Sequence, residues 1–162
     1  MAIGRVGFTP DRKRILWETQ QAGFISVLWI MDANGGNQKQ LTSAPLKAGE
    51  VSAPSRDGKH VTFINNQSTP PEVSNALHVM DIDSGNITQI THPVGVSHDV
   101  LPNYSPDGTK IVFASDRMSQ DGSLDLFTIG SDGSGLTRIA TGITVGGCPD
   151  KNCVSPAWGR KP

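Results

Sequence analysis

The side chains of this 162-residue chain that stand out as candidates for chemistry are few, and four of them form two adjacent pairs. His98 and Asp99 are neighbours, and a carboxylate that orients an imidazole suits it to acid–base work or to metal binding. The plain alternative is a solvated pair in a loop. Asp116 and Arg117 form a second adjacent pair, for which a hydrogen-bond clamp is the more ordinary role than ligand contact, and Glu50 is a further isolated carboxylate. His98, Asp99, Glu50, Asp116 and Arg117 are therefore the candidate ligand-binding residues. His60 and His78, inside apolar runs, read as packing residues, and His92 as a loop residue with no evident partner. Cys148 and Cys153 lie in the stretch GGCPDKNC. Alone, this pair lacks the four ligands of a structural zinc site, so it reads as a loop-closing disulfide, with two free thiols as the alternative.

Familiar catalytic signatures are missing. The sequence contains no G-x-S-x-G elbow, H-E-x-x-H, Walker loop or dinucleotide fingerprint. Asp81-Ile82-Asp83-Ser84-Gly85 begins like a calcium loop but lacks the distal glutamate. No catalytic residue, cofactor or metal is expected. The net charge of −1 offers no basic excess for a nucleic-acid backbone, and no apolar run is long enough to span a membrane. The first five residues are not followed by the apolar region of a signal peptide, so a leader is expected outside this chain if the protein is exported.

The elements that must position these residues come from a repeat. Phe8 to Trp17, Pro54 to Phe63 and Tyr104 to Phe113 align, with Asp11, Asp57 and Asp107 at matching places. Second apolar runs follow at 27–32, 76–81 and 125–130, and third elements end at Leu41-Thr42, Ile90-Thr91 and Ile139-Ala140. Each repeat reads as four short strands, a to d, because the runs are β-branched, aromatic and too short for helices. In Ser105-Pro106-Asp107-Gly108 proline presets the turn, aspartate accepts a free backbone N–H and glycine takes the left-handed conformation. In the first repeat Arg12 stands in the glycine's place, and in the second Arg56 replaces the proline. Much of the content of 18 glycines and 11 prolines is thus turn chemistry. Four antiparallel strands every 40–50 residues predict the blades of a β-propeller. The expected blades cover about 3–42, 50–91 and 99–140, with an extra strand at about 153–159.

The stretches YSPDGTKIVFASDR and LDLFTIGSDGSGLTRIA resemble the TolB-type β-propeller repeat. Asp116 and Arg117 fall on that repeat's Ser-Asp-Arg stretch. The resemblance implies an all-β propeller, a cell-envelope or periplasmic location (a cytoplasmic one being the alternative), and a role in protein–protein contact. Similar blades also serve as non-catalytic domains of prolyl-oligopeptidase-type peptidases and in metal-dependent polysaccharide lyases. A propeller half attached to such an enzyme is therefore the alternative reading.

Three blades make only half of a six-bladed ring, so the end blades should present apolar faces that include some of Trp17, Trp29, Phe113 and Phe127. Either two copies close a ring or the chain is the C-terminal half of a longer protein; homodimerisation is the favoured expectation. The closing residues would be Val154, Pro156 and Trp158, competing with the chain's own strand at Phe8. The b–c loops (about 19–25, 65–74 and 115–123) and d–a loops (43–50, 92–99 and 141–152) are long and emerge on one face. That face is expected to bind a protein or peptide.

Overall fold

The computed structural model describes residues 2–21, 25–43, 48–49, 54–65, 74–119 and 122–143. These form three four-stranded antiparallel sheets, each in simple sequential order, and no helix is present among the described residues. Blade 1 holds β1 (Ala2–Phe8), β2 (Arg14–Gln21), β3 (Ile25–Asp32) and β4 (Lys39–Gln40). Blade 2 holds β5 (Ala48–Gly49), β6 (His60–Asn65), β7 (Ala76–Asp81) and β8 (Ile87–Gln89). Blade 3 holds β9 (Asp99–Tyr104), β10 (Lys110–Ser115), β11 (Leu124–Gly130) and β12 (Thr137–Ile143). The all-β propeller architecture expected from the repeat is the architecture observed. Glu50, Cys148, Cys153, Val154, Pro156 and Trp158 lie outside the described residues.

The a–b turns repeat atom for atom. Thr9, Ser55 and Ser105 each donate a side-chain hydroxyl to the carboxylate of Asp11, Asp57 or Asp107, at 2.6, 2.5 and 2.6 Å. The same carboxylates accept the backbone N–H of Lys13, Lys59 and Thr109 at 3.0 Å. Gly58 and Gly108 follow with φ of 69° and 75°, and Arg12 adopts φ of 60° in the equivalent place.

Strand d departs from expectation. It stops before the Leu41-Thr42 and Ile90-Thr91 pairs, because each threonine hydroxyl turns back to accept the N–H of Leu28 or Leu77 at 2.9 Å. Ala140 has no hydroxyl for that bond, and β12 runs on to Ile143. The b–c connection of blade 1 is also shorter than expected, since β2 extends to Gln21 and β3 begins at Ile25.

Two apolar clusters sit between the blades. Leu16, Leu28 and Ile30 of blade 1 pack on Val61, Phe63, Met80 and Ile82 of blade 2. Ile64, Leu77, Val79 and Ile90 of blade 2 pack on Tyr104, Ile111, Phe113, Phe127 and Ile129 of blade 3. Each blade carries one stacked cross-strand pair at the same register: Trp17–Trp29, Phe63–His78 and Phe113–Phe127, with ring centroids 5.9, 5.6 and 5.7 Å apart. Directly paired residues share a face of the sheet. That face of blades 2 and 3 is covered by the preceding blade, and blade 1 has none.

The expectation of exposed Phe113 and Phe127 is therefore corrected: both are buried against blade 2. On the opposite face of blade 3, Val112, Ala114 and Thr128 are buried as well. Blade 1 has an open face, where Val6 pairs with Trp17 and Phe8 with Ile15, leaving Val6 63% and Phe8 57% exposed. The edge of β2 is occupied by the chain's own β1.

Arg12→Gly removes a left-handed non-glycine residue and should stabilise the fold by about 1 kcal/mol, read as a higher urea midpoint. In acid, Asp107 is held down at about 2 by the Ser105 hydroxyl and the Thr109 donors, and the Asp11 and Asp57 carboxylates are lowered by the same kind of bonds. A lowered carboxylate favours folding in its ionised form. This contribution is complete above the ordinary value of 3.8 and should fade as the pH falls towards 2, measured as urea midpoints across that range.

Candidate functional site

The long-loop face is built where β9 starts and β10 ends. A β-bulge in β9, opposite the step from Val112 to Ala114, accommodates Leu101 at φ of 55° and Pro102, which has no N–H to give the ladder. Before the bulge, Asp99 pairs directly with Ser115. Asp99 therefore shares the face of Phe113 that looks towards blade 2.

The two adjacent pairs read from the sequence cross over in space. His98 is oriented by Asp116, with Nδ1 2.9 Å from Oδ2, and its backbone N–H donates to the other oxygen of that carboxylate at 2.6 Å. Asp99 instead meets Arg117, whose Nη2 donates to both of its oxygens at 2.5 and 2.6 Å. The sequence-adjacent pairings fail because His98 and Asp99, neighbours in extended chain, point to opposite faces, while Asp116 and Arg117 stand in the turn beyond β10.

The second pair is a buried clamp. Asp99 is fully buried and Arg117 is 12% exposed. Arg117 lies over the rings of both Phe113 and Phe127 at 5.3 Å, and its Nε donates to Ser115 Oγ at 3.1 Å. Thr91, at the end of blade 2, donates its hydroxyl to Asp99 while accepting the Leu77 N–H. Asp99 thus ties blade 3 to blade 2. Sequence reasoning missed Thr91 and Ser115; the threonine recurring with Thr42 was the available signal.

His98 and Asp116 are the accessible members, with side chains 34% and 20% exposed. Held at Nδ1, the imidazole presents its Nε2 edge as a hydrogen-bonding group. The other histidines sort differently. His78 stacks on Phe63 as a packing residue, and burial pushes its pKa down, which favours the neutral ring. His60 is not a packing residue: it stands half-exposed between Asp57 and Asp81, 3.8 Å from each. His92 meets the Gln89 amide at 3.3 Å. Among the described residues no three metal-ligating side chains converge.

This is a TolB-like propeller-type fold, and the comparisons with known proteins place it there. No family model matches the chain. An uncharacterised protein of Agrobacterium fabrum is 31% identical over 114 residues, covering 70% of this chain and 35% of that protein. The structure of a protein assigned as TolB from Agrobacterium tumefaciens superposes with a TM-score of 0.67 at 28% identity, over 83% of this chain and 45% of that one. TolB from Acinetobacter baumannii gives 0.64 at 23%, over 85% and 32%. An oligogalacturonate lyase in complex with manganese and a puromycin hydrolase give TM-scores of 0.62 and 0.64 at 15% and 13% identity, a likeness of fold alone. The chain spans less than half the length of these relatives.

Arg117→Ala strands a buried carboxylate and should cost about 3–5 kcal/mol in urea denaturation. The double variant Asp99→Asn, Arg117→Ala should recover part of that loss, because the stranded charge is gone. A loss below about 1 kcal/mol for Arg117→Ala would show that the clamp does not hold the blades.

Proposed function

We propose that the chain is a non-catalytic binding and scaffold module. Two copies complete a six-bladed ring, and the long-loop face around His98 and Asp116 receives a protein or peptide. The observation that carries this reading is the open face of blade 1. Trp17 and Trp29 occupy the places whose counterparts in blades 2 and 3 are covered by a preceding blade, and Val6 and Phe8 lie exposed beside Trp17 and Ile15 on that face. A second copy supplies such a cover. Because β1 already fills the edge of β2, the contact is face to face rather than an exchange of strands.

At the long-loop face, a rigid blade junction holds an imidazole whose tautomer and orientation are fixed by Asp116. Such a group recognises a polar partner without any reaction. The TolB-like fold, and the reading of Cys148 and Cys153 as a disulfide, support a place in the cell envelope.

Sedimentation equilibrium should give about twice the chain mass of 17.2 kDa. A folded species at the mass of one chain overturns the ring. The exposed pair Val6→Glu, Phe8→Glu should weaken association at least about tenfold, because charge enters an apolar contact, while the circular dichroism spectrum stays unchanged.

A further inference from the structure

The face opposite the long loops holds a feature that the proposed function leaves unused. Between blades 2 and 3 a cleft of about 720 Å³ opens among the tight turns. Asp57 and Asp81 line it from blade 2, and Asp107 and Asp132 from blade 3. Each carboxylate spends Oδ1 on its own turn, and the turn bonds lower all four pKa values, so all are ionised at neutral pH. The cations beside them are Arg56, whose Nη1 reaches across to Pro106 O at 3.4 Å, Lys59, whose charge acts on Asp57, and a protonated His60.

Tyr104 supplies a second, independent observation. It lines the same cleft and is 8% exposed, and its hydroxyl has no hydrogen-bond partner. An unpaired buried hydroxyl is costly, about 1–3 kcal/mol, and an incoming N–H donor would relieve it.

The junction between blades 1 and 2 shows what such a place accepts. There Arg14, the first residue of strand b in blade 1, donates to Asp83 in the c–d turn of blade 2 at 2.7 Å. It also reaches Gly58 O at 3.3 Å. The cavity left at that junction is about 240 Å³. By strand register, His60 is the counterpart of Arg14, pairing with Asp81 as Arg14 pairs with Asp32. Counted from the end of strand c, Asp132 is likewise the counterpart of Asp83, and Gly108 of Gly58. At the second junction the long guanidinium is replaced by a short imidazole, and the larger cleft results.

We propose that the cleft between blades 2 and 3 binds the side chain of an arginine residue from a polypeptide partner, in the place that Arg14 fills at the junction before it. The planar guanidinium presents five N–H donors to carboxylate oxygens, to the Gly108 carbonyl and to the Tyr104 hydroxyl. Its aliphatic stem lies on Val79 and Ile90, which form the apolar part of the lining.

The test is an NMR titration of the isotope-labelled full chain with N-acetyl-arginine amide, with N-acetyl-citrulline amide as the uncharged isostere. Saturable shifts at the turn amides of Asp57, Gly108 and Asp132 are expected, with citrulline at least about tenfold weaker. His60→Arg should fill the cleft from within and weaken binding about tenfold or more, as should Asp81→Asn with Asp132→Asn, which retains the turn acceptors. Tyr104→Phe should weaken binding while leaving the melting temperature unchanged or higher; a lower melting temperature would assign the hydroxyl a purely structural role and overturn its part in the site. Absence of saturable shifts, equal binding of citrulline, or full binding by His60→Arg overturns the proposal.

Discussion

The structure depends on one repeated contact: the face of a blade that bears the cross-strand ring pair must lie against the blade before it. Phe63 with His78, and Phe113 with Phe127, meet this requirement and are almost wholly buried. Trp17 with Trp29 occupies the same place in blade 1 and remains only half-buried. A four-stranded sheet has two faces to cover, and a propeller solves both by adding a neighbour on each side. Burial of one large apolar side chain is worth roughly 1.5–3 kcal/mol, so a single uncovered face is a large term in a domain's net stability. The proposal of a second copy rests on this asymmetry between the blades.

What was legible in the sequence follows from the range of each interaction. The turns were legible because their bonds span two to five residues: Ser105 to Asp107, Asp107 to Thr109 and Lys110 to Ser105. Strand placement was legible because the apolar runs repeat at nearly constant spacing. The pairing of His98 with Asp116 spans 18 residues and depends on which face each side chain takes at the start of β9 and beyond β10, which adjacency in sequence does not reveal. The burial of Phe113 depends on the order of blades around the ring. Repeat arithmetic showed that end faces must be open, but not that the ring pair of blade 3 lies on its covered side.

Asp99 shows how a repeat acquires individual character. At its register place in blade 2 stands Ala48, which pairs with Asn65 as Asp99 pairs with Ser115. The blade 1–2 junction therefore has no carboxylate at this place. In blade 3 the carboxylate is usable because three other features coincide: Arg117 to neutralise it, Thr91 to donate a hydroxyl, and two phenylalanine rings to support the guanidinium. Removing any single partner leaves a buried charge exposed to its desolvation cost, so these residues act as a unit.

The same logic links the turns to the acidic cleft. An aspartate that accepts turn hydrogen bonds through Oδ1 must point Oδ2 away from its own turn, so a tight-turn aspartate supplies an outward negative charge as a by-product of folding. Where blades meet, these outward oxygens converge, and the junction needs a cation. Arg14 provides one between blades 1 and 2, where it bridges to Asp83. His60, at the corresponding place, does not extend beyond the carboxylates of its own blade, Asp57 and Asp81. Where Asp83 meets Arg14, its counterpart Asp132 faces the cleft beyond the short side chain of His60. The acidity of that face is inherited from the turn motif, whereas the space to receive a guanidinium comes from a single residue.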